Sequence, residues 1–166
     1  MHEHESNYFS EFLAEFQKES DRGAALVGAA LLDARLERIL RSHFIVGKSA
    51  NELLDGGNGP LASFSARIKC CQALGLITDN EKNDIDLVRA IRNAFAHQEH
   101  GLNFESVKIK GLCSSLVSRR PKSIQEKIEY TARNRFIDAV VFNCLQLWYR
   151  PEHALQLKCE EHTWPY

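Results

Sequence analysis

The chain has 166 residues, 44% of them hydrophobic and 26% charged, with a net charge of −1. That length suits one domain with a real core, and the composition is ordinary for a globular protein. No run of 18 apolar residues is free of charge, so no membrane span is expected, and a near-neutral balance is a poor basis for gripping a nucleic acid by its phosphates. The N-terminus, MHEHESNYF, lacks the basic and apolar regions of a secretory signal. Five cysteines without a CxxC pair indicate neither a disulfide framework nor a zinc ribbon, so a cytoplasmic protein is expected.

The apolar spacing is helical almost throughout. Phe9, Phe12, Leu13 and Phe16 mark an amphipathic first helix, roughly Ser6 to Glu19. Ser20 or Asp21 can cap a second helix that runs to about Phe44. Its opening half, GAALVGAALL, is apolar and small on all sides, which suggests a central helix or one that also meets a second subunit. Ser49 with Glu52 has the capping-box spacing for a short third helix, and DGGNGP, residues 55–60, reads as a loop. Leu61, Phe64, Ile68 and Cys71 then line one face of a fourth helix that Gly75 closes.

Thr78 with Glu81 opens a fifth helix ending near His97, and Gly101 breaks the chain after it. Residues 102–122 are the least regular, with a short helix expected near Leu112 to Val117. Ser123 with Glu126 is a further capping box, predicting a long helix that Pro151 ends. Its portion from Phe136 to Tyr149 is apolar on most sides and belongs in the core. The reading is all-α: one multi-helix bundle over residues 1–166, with its core at about 6–150 and an irregular tail at 151–166. The expected architecture contains no typical helix-turn-helix.

Few polar residues look placed. Asp33 falls within the apolar arc of Leu26, Leu36, Leu40 and Phe44, with Glu37 at its margin, and Arg67 edges the apolar face of the fourth helix. A buried charge without a partner is destabilising by about 3–5 kcal/mol. Asp33, with Glu37, is therefore expected to pair with Arg67 or Arg92 as a polar latch between helices. Asn93 and His97 can meet at i,i+4 on the fifth helix, whereas Arg92 and His97 lie about 140° apart on an ideal helix.

A catalytic alternative exists. Arg92-Asn93-x-x-x-His97 has the Arg-polar-x-x-x-His spacing of the HEPN superfamily of helical bundles, some of which are metal-independent ribonucleases that assemble the site across a dimer. There a histidine moves a proton and an arginine stabilises phosphoryl charge. Six residues are a weak signal, and the latch is the favoured reading. Cys159 and His162 have ligand-like spacing without a second pair, so no metal or other cofactor is expected.

Charge is unevenly distributed. From Ser106 to Arg135 eight Lys or Arg face two Glu, a net +6 that leaves −7 elsewhere. Lys108, Lys110, Arg119, Arg120, Lys122, Arg133 and Arg135 are the candidates there for a nucleic-acid surface. LGLITDNE, residues 74–81, superficially offers a helix-turn-helix, but Asp79, Glu81, Asp84 and Asp86 in the helix after it would repel phosphates.

DRGAALVGAALLDARLERIL, GPLASFSARIKCCQALGLI and IRNAFAH, in that order, resemble the mannitol operon repressor family of bacterial regulators and its shorter paralogues. The likeness covers about Asp21 to Phe104, half the chain. It implies an all-helical cytoplasmic protein that represses transcription of sugar-alcohol uptake genes, with Asp33, Arg67, Arg92, Asn93 and His97 as framework or partner-contact residues. It supplies no catalytic role for them. The expected mode of action is contact with a regulatory protein partner, from a homodimer, rather than direct base reading.

Overall fold

The computed structural model describes residues 3–55, 59–98, 100–117 and 130–166. Among them the chain is helical with no strand: α1 Glu3–Lys18, α2 Asp21–His43, α3 Lys48–Leu54, α4 Phe64–Ala73, α5 Asp79–His97, α6 Val107–Ser114, α7 Ala132–Trp148 and α8 Arg150–Gln156. None of the described helices is long and apolar enough to cross a membrane.

Local chemistry explains most helix ends. The Ser20 hydroxyl accepts from the Gly23 N–H, Ser63 accepts from Ala66, and Thr131 accepts from Asn134, each satisfying a donor with no partner inside its helix. Thr78 and Glu81 form the full capping box of α5. Gly75 takes φ 69 just beyond α4, where a side chain would be strained.

α2 is the axis of the bundle, packed against α5, α7, α8 and α4, with α1 and α3 at its ends. Ala24, Ala25, Gly28, Ala29, Leu32, Leu36, Ile39 and Leu40 turn inward along it. A Cβ built on Gly28 would lie 3.0 Å from Val140 and 3.2 Å from Phe16, so the small residues let α1 and α7 approach closely. The helix is not buried all round, however. Leu26, Ala30 and Ala34, spaced by four, form a stripe open to solvent. Phe104 lies between Phe95 and Phe136, with ring centroids 5.4 and 5.2 Å away, and joins the loop after α5 to the core.

Several boundaries differ from the sequence reading. Ser49 and Glu52 do not cap α3: the N-cap is Gly47, and Glu52 instead meets Lys48 at 3.5 Å one turn back. Leu61 precedes α4, which begins at Phe64. The short helix lies at Val107–Ser114 rather than 112–117, because Ser106 ends the preceding turn. Among the described residues, the expected long helix begins only at Ala132. Tyr130 and Thr131 are non-helical and Thr131 caps α7, while Ser123 and Glu126 lie outside the described residues. Pro151 closes no helix: it sits in the first turn of α8, where its missing N–H costs nothing. Ala154 is fully packed, so the ordered core continues through part of the segment expected to be irregular.

Candidate functional site

Arg67 projects from the buried side of α4 toward α2. Its Nη1 donates to Asp33 Oδ1 at 2.9 Å, and its Nη2 lies 2.9 Å from Glu37 Oε2 and 3.4 Å from the Leu54 carbonyl. Glu37 also accepts from Arg41, at 2.9 Å from Nε and 2.8 Å from Nη2, and Arg41 reaches on to Asp55. Five charged groups thus alternate in sign across α2, α4 and the end of α3. The hydrogen bonds it donates to Glu37 and then to Asp55 hold the Arg41 guanidinium above its ordinary range. A polar cleft of about 520 Å³ opens beside this network, lined by Glu37, Asp55, Pro60, Ser63 and Arg67.

Arg92 takes no part in the latch. It is exposed and donates to its neighbour Asn93 Oδ1 at 2.9 Å. Asn93 and His97 do share a face, as their spacing requires, and with Ala94, Gln98 and Lys108 they line a shallow open depression. Arg92 does not line it, and His97 is solvent-exposed. The six-residue motif is therefore split between two directions on the surface of α5, away from the Asp33–Glu37–Arg67 network.

The basic segment is dispersed as well. Arg133 is a structural tie: Nη1 meets Asp21 Oδ1 at 2.6 Å, and Nη2 donates to the Gln17 carbonyl at 3.2 Å and to that of Glu19. It fastens α7 to the α1–α2 junction. Lys110 pairs with Glu105 at 2.5 Å, and Arg135 stacks over Tyr130 with its guanidinium carbon 5.4 Å from the ring centre. Lys108 is exposed, while Arg119, Arg120 and Lys122 lie outside the described residues.

Other buried polar contacts escaped the sequence reading. Glu81 and Asp84 are 4% and 1% exposed, so they are not part of a phosphate-repelling outer face. Asp84 accepts from the Val117 N–H at 2.7 Å and from Asn143 at 3.4 Å, and Glu81 binds Arg150 at 2.7 Å. Arg150 also donates to the Leu76 carbonyl at 2.7 Å. A signal was present: Glu81, Asp84, Ile85 and Val88 recur at helical spacing and share the inward face of α5. Of the four acidic residues expected to repel phosphates, Asp79 is exposed, while Asp86 is half-buried and paired with Lys82 and Arg89. Arg35 lies 3.6 Å above the centre of the Trp148 ring and is nearly buried, a contact between α2 and α7 with no local cue in either segment.

Comparison with known proteins agrees with this architecture. A family model described as "Mannitol repressor" matches residues 23–153. Among solved structures, the chain resembles one described as the X-ray structure of the MtlR–HPr complex from Escherichia coli. The sequences are 21% identical, the TM-score is 0.58, and the match covers 88% of this chain and 97% of the other. No curated protein matches the sequence. At this identity the structural likeness establishes the fold, while the family model spans well over half of the chain. The chain belongs to the mannitol repressor family.

Proposed function

We propose that this protein is a regulator that represses mannitol or related sugar-alcohol genes by docking a protein partner, without catalysing a reaction. The observation that carries this reading is the family match over residues 23–153. The partner class comes from the solved relative, which was crystallised with HPr. An HPr protein is accordingly the first partner to test, and a dimer is the proposed form of the regulator.

The electrostatics favour a protein over a duplex. Of the candidate phosphate-binding cations that are described, Arg133 and Lys110 are engaged by Asp21 and Glu105. Freeing Arg133 for DNA would break the tie between α7 and the start of α2.

The test pairs two titrations of the full chain. Fluorescence anisotropy uses a labelled mannitol-promoter duplex and a scrambled duplex, each at low and physiological salt. Calorimetry uses HPr from the same organism. Saturable HPr binding, with equal and salt-sensitive loss of both duplexes, is the expected result. Specific DNA binding that persists at physiological salt, without HPr binding, would replace this reading with direct repression.

A further inference from the structure

The five cysteines fall into two environments. Cys71, Cys113 and Cys144 are buried and Cys70 is half-buried. Burial disfavours their thiolates, raising all four thiols and pushing Cys71 and Cys113 up to about 12. Such thiols are poor nucleophiles near neutral pH.

Cys159 lies in a different environment. It is exposed, follows α8 by three residues, and is seated against the end of α2 by two contacts. Its N–H donates to the His43 carbonyl at 2.7 Å, and its Sγ lies 3.4 Å from His43 Nε2. His43 is only 9% exposed, and its Nδ1 has no hydrogen-bond partner among the described residues. With Nδ1 carrying the ring proton, Nε2 is the acceptor facing the sulfur. A nucleophile open to solvent is thus held beside a base whose position is set by the core. The pair joins residues 116 apart in sequence, so no motif announces it.

We propose that Cys159 is a thiol-modification site at which His43 serves as the base and a low-molecular-weight disulfide is the co-substrate. The Cys159 S–H gives its proton to His43 Nε2 as its sulfur attacks one sulfur of the disulfide. A new S–S bond forms to Cys159 while the incoming disulfide's S–S bond breaks. The departing sulfur leaves with that electron pair and takes the proton from His43. Cys159 is oxidised to the mixed disulfide and one small-molecule sulfur is reduced to its thiol, so atoms and electrons balance. The added group occupies the position from which Sγ meets His43, leaving the backbone hydrogen bond as the remaining contact of the pair.

The test is a site-resolved rate. Fully reduced protein is treated with 2-hydroxyethyl disulfide, an uncharged probe that the neighbouring Glu160 and Glu161 do not repel. Mixed disulfide at each cysteine is followed by peptide mass spectrometry. The same measurement in urea removes His43 from the neighbourhood of Cys159, and N-acetylcysteine in both solvents corrects for the medium. Folded protein should react at Cys159 faster than unfolded protein, by about tenfold, because a free thiol is already a few per cent thiolate near pH 7 and a base can add little more than that. His43→Gln should abolish that advantage wherever the variant retains its helical circular dichroism and cooperative melting. Equal or slower reaction at Cys159 in the folded protein would overturn the proposal. So would an advantage that survives in folded His43→Gln. The wild-type ratio decides by itself if the variant does not fold.

Discussion

Arg67 and Arg92 are the same residue type on neighbouring helices, and both lie beside apolar positions in the sequence. One is about nine-tenths buried and held by two carboxylates of α2; the other is exposed and donates to the residue that follows it. The difference is one of helical phase. Arg67 projects inward alongside Phe64, Ile68 and Cys71, and its charge must be answered within the bundle. Arg92 sits one residue beyond the buried Ile91, and water answers its charge. A placed polar residue is thus identified by the direction in which its helix buries it, and an arginine beside an apolar residue is a weaker cue than an arginine in phase with a row of them.

Substitutions sharpen that contrast. Arg67→Ala leaves Asp33 and Glu37 facing each other without their shared cation and should lower stability by about 3 kcal/mol. That is the lower end for a broken buried pair, because both carboxylates retain some contact with water. Urea unfolding measures it directly, and a midpoint equal to wild type would remove the latch from the account of stability. A double-mutant cycle on Asp33 and Arg67 should return a coupling of about 1–2 kcal/mol, whereas the same cycle on Arg92 and Asn93 should return close to zero. Equal couplings would erase the distinction between the two regions.

Thr78→Ala tests a smaller effect at the start of the same helix that carries Arg92. Loss of the capping hydroxyl should destabilise by about 1 kcal/mol, a fall in Tm of a few degrees by calorimetry. Arg92→Ala and His97→Ala should be the mildest, within about 0.5 kcal/mol of wild type. Incubation of both variants and wild type with single-stranded RNA in chelator checks the catalytic alternative. Metal-independent cleavage by wild type that His97→Ala abolishes would return the α5 motif to the centre of the protein's function.

The legibility of the fold follows the range of the interactions. Helix identity, the α2 and α5 caps and the Gly75 stop were readable because each rests on residues within one turn of one another. The Ser49–Glu52 spacing misled because a capping box also needs its serine outside the helix, and α3 begins before it. Asp33, Glu37 and Arg67 could be singled out from their position in apolar faces and a pairing with Arg67 or Arg92 expected, but which arginine they meet was decided only when α2 and α4 were brought together. Arg133 misled more deeply. Its charge suggested a phosphate, while its geometry assigns it to Asp21 and two carbonyls at the end of α1, more than 110 residues away.

By itself, then, the order of amino acids determined a charge-balanced all-α chain with a central helix of small residues, and the blocks that mark its family. Hydrophobic periodicity and capping are properties of consecutive residues, so they survive reading along a line. Only the tertiary structure decided which charges are spent inside. It placed Arg67 on Asp33 and Glu37, Arg150 on Glu81 and Arg133 on Asp21, and it set Cys159 against His43. A charge or a thiol acquires its role from whatever lies a few ångströms away, and in a helical bundle that neighbour usually comes from a distant part of the chain.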